Sequence, residues 1–265
     1  MLCHVERLGT GPVRYVFCHG LFGRGRNWTS IARRLAPAGC LLLDLPDHGQ
    51  AARSQRFSYD HLVQALAEVL EDLAGTDFTV VGHSMGGRAV MLTALAQPDL
   101  VPRLVVEDIG PAPTPVAALR QAADALSQLD LTGLESRRQA SQALAQDLPD
   151  PALRAFLLSG LQPDPAGGWG WVFNLELLRR DLDQVVDWPD PGPTPPYPGP
   201  CLWLLGGAST TVSPDSAVRM AQLFPQLSPV EIAGAGHWVH AEAPDQFVEV
   251  LRRFATATPA WTAAV

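Results

Sequence analysis

Gly82-His83-Ser84-Met85-Gly86-Gly87 stands between the apolar run Phe78-Thr79-Val80-Val81 and a helix-like stretch from Arg88 to Ala96. In that setting it reads as a sharp turn from a strand into a helix, with a serine at its apex. A serine hydroxyl is a weak nucleophile near neutral pH, and a turn of this kind lifts it out of the fold toward a base. Glycine at 82 and 86 fits the geometry, because positions flanking the serine lie too close to neighbouring backbone for a Cβ. A bare G-x-S-x-G string arises by chance in many chains, so the strand before it and the helix after it carry the reading.

Similar apolar runs lie on either side: Val13 to Cys18, Cys40 to Leu43, Leu104 to Val106, and Cys201 to Leu205. Their hydrophobicity is continuous rather than alternating, as suits strands covered on both faces of a parallel sheet. Helical periodicity fills the gaps. Leu62, Val63, Leu66, Val69, Leu70 and Leu73 make one stripe, and Pro244 opens a second helix with Phe247, Val248, Leu251 and Phe254 inward. Alternating strands and helices predict a mostly parallel, doubly wound α/β sheet. Between Gly110 and Pro200 the strand pattern stops. Proline-rich connectors, Pro111 to Pro115 and Pro189 to Pro198, flank a stretch that reads as three or four helices. The expected organisation is a core of residues 1–111 and 197–265, with residues 112–196 inserted as a helical cap over one end of the sheet.

The chain has 265 residues, 47% of them hydrophobic and 17% charged, enough for one domain with a substantial core. A formal charge of −8 without a basic cluster argues against a nucleic-acid partner. All 19 basic residues are arginine, and the lack of lysine excludes a Walker-type phosphate loop and Schiff-base chemistry. Cys3, Cys18, Cys40 and Cys201 are widely spaced and read as buried, reduced thiols. No leader-like or bilayer-spanning stretch is found, so the expectation is a cytoplasmic protein without a membrane partner.

His19-Gly20-Leu21-Phe22-Gly23, the turn at Ser84, and Gly234-Ala235-Gly236-His237-Trp238-Val239-His240 together resemble the α/β-hydrolase fold. Asp44-Leu45-Pro46-Asp47-His48-Gly49 is similar to that family's loop after its fourth strand. Asp108-Ile109-Gly110-Pro111 with Gly206-Gly207-Ala208-Ser209 resembles a bacterial acyl esterase and thioesterase branch, similar to the mitochondrial α/β-hydrolase-domain esterases. The resemblance implies an α/β-hydrolase fold with an inserted helical cap, and hydrolysis of short to medium acyl esters or thioesters without a cofactor.

His237, late in the chain and in a glycine-rich loop, is the expected general base. His240 is its rival. The spacing of the pair also fits a metal site, but no third ligand of suitable type is evident, and no metal is expected. His83 reads as packing beneath the turn. In most of the superfamily the acid follows the strand that here ends at Leu205, where this chain has Ser209, which cannot hold a negative charge. Asp108, after the strand expected beside that of the nucleophile, is preferred to Asp215, which looks like a helix-start residue, and to Glu107. The resemblance implies that some members carry the acid at the position of Asp108. Met85 and Leu21 amides are the expected oxyanion donors, with Phe22 as the alternative second donor. Phe22, Trp169, Trp171, Phe173, Leu177 and Trp238 are the candidate lining of an acyl pocket. Perhydrolase, lactonase and carbon–carbon bond hydrolase chemistry share such a triad, and a non-catalytic ligand-binding homologue remains a further alternative. The sequence leaves the physiological substrate and the oligomeric state open.

Overall fold

The computed structural model describes residues 1–165 and 167–256. Seven strands form the main sheet: β1 (His4–Leu8), β2 (Val13–Cys18), β3 (Gly39–Asp44), β4 (Thr79–His83), β5 (Leu104–Glu107), then, after the insertion, β8 (Cys201–Gly206) and β9 (Leu227–Ile232). Their order is β1-β3-β2-β4-β5-β8-β9. Among the described strands of this sheet, only β1 runs antiparallel to its neighbour. This is the mostly parallel, doubly wound sheet with inserted helices that the sequence predicts.

The continuous apolar runs have a simple cause. Along each strand successive side chains point to opposite faces, and both faces are covered. Val16, Val80 and Val106 join one buried cluster with Leu62, Leu66 and Val90 from the helices Tyr59–Glu71 and Met85–Ala96. Phe17, Val81 and Val105 join the opposite cluster with Ile31, Phe247 and Leu251 from Thr29–Arg34 and Pro244–Thr256.

The insertion differs from expectation in detail. Described helices cover Ala117–Gln128, Arg137–Ala143, Pro151–Leu158, Leu175–Arg180 and Leu182–Val186, more than the three or four expected. Two of these are short and part only at Asp181, a break that hydrophobic periodicity does not resolve. A hairpin of β6 (Leu161–Pro163) and β7 (Trp169–Trp171) also stands where no strand was expected. Each of its strands is three residues long, below the length at which alternation becomes readable.

From β2 the chain crosses to β3 on one side, and later enters β4 on the other. The crevice beyond the carboxyl ends of β2 and β4 is therefore the topological switch point, where open α/β sheets bind ligands. Close backbone approach shapes it. A Cβ on Gly86 would press into the carbonyl oxygens of His19 and Cys18, and one on Gly82 into the carbonyl of Gly86.

Buried histidines surround this crevice. Leu45 N–H donates to His19 Nε2 at 3.0 Å, while His19 Nδ1–H donates to Gly20 O at 2.8 Å. Phe22 N–H donates to His48 Nε2 at 3.2 Å, while His48 Nδ1–H donates to Pro46 O at 3.0 Å. Each ring thus uses one nitrogen as acceptor and one as donor, which is the neutral form. His83, beneath the turn, donates from Nε2 to His237 O at 3.0 Å. Burial pushes all three rings below the ordinary histidine range, His48 and His83 strongly so. Burial works against the charge of Glu107, but His240, bonded to both carboxylate oxygens, outweighs that and holds its carboxyl below the usual glutamate range.

Two predictions follow from these contacts. Gly86→Ala is expected to lower stability by about 3 kcal/mol, because the obstructing atoms are backbone, and a fall in urea midpoint at unchanged slope would show it. The unfolded chain protonates its histidines below about pH 6.5, whereas the folded protein keeps His19, His48 and His83 neutral, so stability falls as pH drops through that value. Glu107 adds a loss at lower pH, since its stabilising charge is present above the ordinary glutamate pKa and disappears as pH falls through its lowered folded value. A Tm that stays level from about pH 7 to about pH 5 would contradict the histidine contribution.

Candidate active site

Ser84 precedes the helix Met85–Ala96 with φ +52°, a left-handed conformation that side chains rarely adopt. The surrounding contacts hold it there. Its N–H donates to Glu107 O at 3.3 Å, and Arg88 N–H donates to Ser84 O at 3.0 Å. Gly20 lies directly across, where an added Cβ would stand 3.1 Å from Ser84 Cβ and 2.8 Å from His83 Nδ1. Glycine at 20 therefore keeps the β2 loop against the serine.

Asp108 Oδ2 lies 2.8 Å from His237 Nδ1. With that proton directed at the carboxylate, the imidazole's other nitrogen is left to accept. Asp108 is only 1% exposed at its side chain, against 25% for His237, so the acid is sealed while the ring keeps access to solvent. Three neighbours support the carboxylate and the ring. Gly206 N–H donates to Asp108 Oδ1 at 3.0 Å, Ser209 Oγ–H donates to Asp108 Oδ2 at 2.5 Å, and Thr211 Oγ1 stands 3.2 Å from His237 Nδ1. The position occupied by Ser209 thus supplies a donor to the carboxylate of the neighbouring strand.

The rival assignments occupy other places. Glu107 and His240 are bound to each other, with His240 Nδ1 2.8 and 2.9 Å from the two carboxylate oxygens and His240 N–H donating at 2.8 Å. Their side chains are 0% and 9% exposed, and the His240 ring lies 4.2 Å from that of Trp28. His237 and His240 therefore hold separate carboxylates rather than a common centre. Asp215 is exposed near the start of Pro214–Leu223, which Ser213 caps by accepting from Ser216 N–H. It lines a surface hollow with Asp190 and Arg219.

Of the candidate oxyanion donors, Phe22 N–H is committed to His48. Leu21 N–H has no acceptor among the described residues. Met85 N–H belongs to the first helical turn, whose amides lack partners within the helix.

The candidate pocket residues divide. Phe22, Phe173 and Trp171 form a contiguous aromatic run, with ring centroids 5.0 and 5.3 Å apart in turn. Trp238 lies 5.5 Å from His237 and 5.4 Å from Phe156, an apolar residue of the inserted helices that was not among the expected pocket lining. Trp169 is engaged elsewhere, its indole N–H donating to Leu134 O at 2.6 Å and its ring 5.9 Å from the Arg137 guanidinium. Leu177 is buried in the main apolar cluster. Ser209 and Thr211 were also not predicted as site residues. The run Ser209-Thr210-Thr211 after a strand offered a signal, since clustered hydroxyls at a sheet's carboxyl edge are available donors.

Comparison with known proteins identifies the family. Over 247 residues the chain is 35% identical to the sn-1-specific diacylglycerol lipase ABHD11 of Mus musculus, covering 90% of this chain and 80% of that protein. It is 34% identical over 241 residues to the esterase YbfF of Escherichia coli, covering 90% and 91%. A solved esterase from a marine microorganism superposes with a TM-score of 0.90 at 28% identity, covering 95% of this chain and 98% of that one. Residues 15–250 match the alpha/beta hydrolase family, and the chain belongs to it.

Proposed function

We propose that the protein cleaves carboxylic esters or thioesters of short to medium acyl chains, with Ser84 as nucleophile, His237 as general base and acid, and Asp108 as the triad acid. Ser84 Oγ attacks the acyl carbonyl as His237 takes its proton. Leu21 and Met85 amides hold the developing oxyanion. His237 then protonates the departing alcohol or thiol, and water, deprotonated by the same ring, releases the acid from the acyl-enzyme. The observation that carries this reading is the 2.8 Å contact of His237 Nδ1 with sealed Asp108, which fixes the tautomer and stabilises the imidazolium formed in each half of the reaction. The names of the lipase and esterase relatives agree with it.

Residues 112–196 would act as the cap, with Phe22, Trp171 and Phe173 as the apolar wall for an acyl chain and Trp238 beside the base. The proposed substrate is a small molecule and the proposed location cytoplasmic, in keeping with four free and buried cysteines. Among the described residues no helix is long and apolar enough to cross a membrane.

Steady-state hydrolysis of p-nitrophenyl esters from acetate to palmitate tests the reading. Ser84→Ala should abolish turnover. Asp108→Asn should lower kcat by up to ~10⁴ with an unchanged circular dichroism spectrum, and Asp215→Asn should leave it within about twofold. Turnover that survives Ser84→Ala would refute the nucleophile assignment, and the reverse ranking of the two aspartates would move the acid to Asp215.

A further inference from the structure

The net charge is −8, yet four arginines gather beside the insertion. Arg24 follows the loop of Leu21 and Phe22. Arg137 and Arg138 open the helix Arg137–Ala143, and Arg154 lies in Pro151–Leu158. Arg24, Arg137 and Arg138 line a cavity of about 400 Å³ together with Ser141 and Ser159. Arg154 stands behind it, its Nε donating to Ser141 Oγ at 3.3 Å.

These cations are held without being neutralised. Arg24 donates to Ser159 O at 3.1 Å, and Arg137 to Leu161 O at 2.7 Å. Among the described residues no carboxylate forms a salt bridge with any of the four, whereas Arg14, Arg103, Arg120, Arg179 and Arg180 each pair with an aspartate. The carboxylate of Asp44, electrostatically close to Arg24, is already bonded to the amides of Gly25 and Gln50. Burial is the main cause that depresses the pKa of Arg24; the charges of Arg26 and Arg137 add to it and that of Asp44 opposes it. Bringing guanidinium groups together without a counter-charge is unfavourable, and an anion held in their planar forks reverses that cost.

The location indicates which part of a substrate would arrive there. Ala155 lines the cavity, and its neighbour Phe156 packs on Trp238, which touches His237. The helix Pro151–Leu158 thus connects the groove to the Trp238 side of His237, the ring that in the proposed mechanism delivers its proton to the leaving group. We propose that the arginine groove binds a phosphate carried on the leaving alcohol or thiol of the substrate. The inference rests on the hydrolase reading of Ser84. Phosphate suits the groove better than a single carboxylate, because guanidinium groups from more than one element line it.

Two matched substrate pairs test the proposal: octanoyl coenzyme A against octanoyl N-acetylcysteamine, and octanoyl lysophosphatidate against monooctanoylglycerol. Arg137 and Arg138 are exposed, so Arg137→Gln/Arg138→Gln should fold. In at least one pair the double variant should lower the kcat/KM ratio of phosphorylated to neutral substrate by about tenfold, mainly through KM, and the loss should shrink in high salt. The pair that responds tells a phosphorylated thiol carrier from a phospholipid headgroup. Turnover of these substrates with unchanged ratios in both pairs overturns the groove and leaves the hydrolase reading standing. No Ser84-dependent turnover of any substrate overturns the hydrolase reading and the substrate assignment with it.

Discussion

One close approach of backbone to backbone sets the geometry of the whole active-site edge. The start of the helix Met85–Ala96 presses at Gly86 against the carbonyls of Cys18 and His19, the end of β2. Register carries the two segments there, since Tyr15 to Cys18 pair in parallel with Thr79 to Gly82. The consequence is chemical. Leu21 lies two residues beyond His19 and Met85 one residue before Gly86, so the two proposed oxyanion amides belong to segments already in contact. Donors fixed in this way need no reorganisation when charge develops. The left-handed conformation of Ser84 is the local strain that this approach imposes, and the glycines around it keep that strain confined.

Beside this contact, two adjacent carboxylates meet two histidines three residues apart. Glu107 ends β5 and Asp108 follows it, and they take His240 and His237 respectively. The Glu107 pair is sealed in the low-dielectric interior, where a carboxylate must have its lone pairs well satisfied, as the ring and backbone N–H groups of His240 achieve. The Asp108 pair lies at the edge with its ring partly open. The hydrogen bond from His83 to His237 O, with the His83 ring 5.2 Å from that of His240, joins the two layers.

How much of this could be read from the chain depended on the kind of signal. Buried central strands announced themselves, because both faces of Val80-Val81 and Leu104-Val105-Val106 are covered. The edge strands did not. His4-Val5-Glu6-Arg7-Leu8 is only half-buried and polar on one side, and Leu227-Ser228-Pro229-Val230-Glu231-Ile232 is interrupted by serine, proline and glutamate. The turn at Ser84 was legible because its glycines report on backbone contacts local to a motif. The preference for Asp108 came from strand adjacency, which a sequence can suggest. The bonding of Ser209 to that carboxylate was not legible, since it requires the loop after β8 to fold back over the end of β5. Burial likewise separates His237 from His240, which spacing alone leaves as equals.

The position of Asp108 has a physical logic of its own. In most of the superfamily the acid follows the strand equivalent to β8; here that loop supplies Gly206 N–H and Ser209 Oγ–H, and the carboxylate proposed as the acid sits after β5. The two strands are paired in register from Leu104 with Cys201 to Glu107 with Leu204, and Asp108 N–H extends that ladder to Leu204 O at 2.9 Å. The carboxylate is thus placed by sheet hydrogen bonds, which are stiffer than a loop, and the left-handed backbone at Asp108, φ +46°, is the cost of turning its side chain toward His237. All of its other donors are neutral. Among the described residues the imidazolium formed in the proposed turnover would then be the one cation bonded to that carboxylate, so its stabilisation is not shared with an arginine.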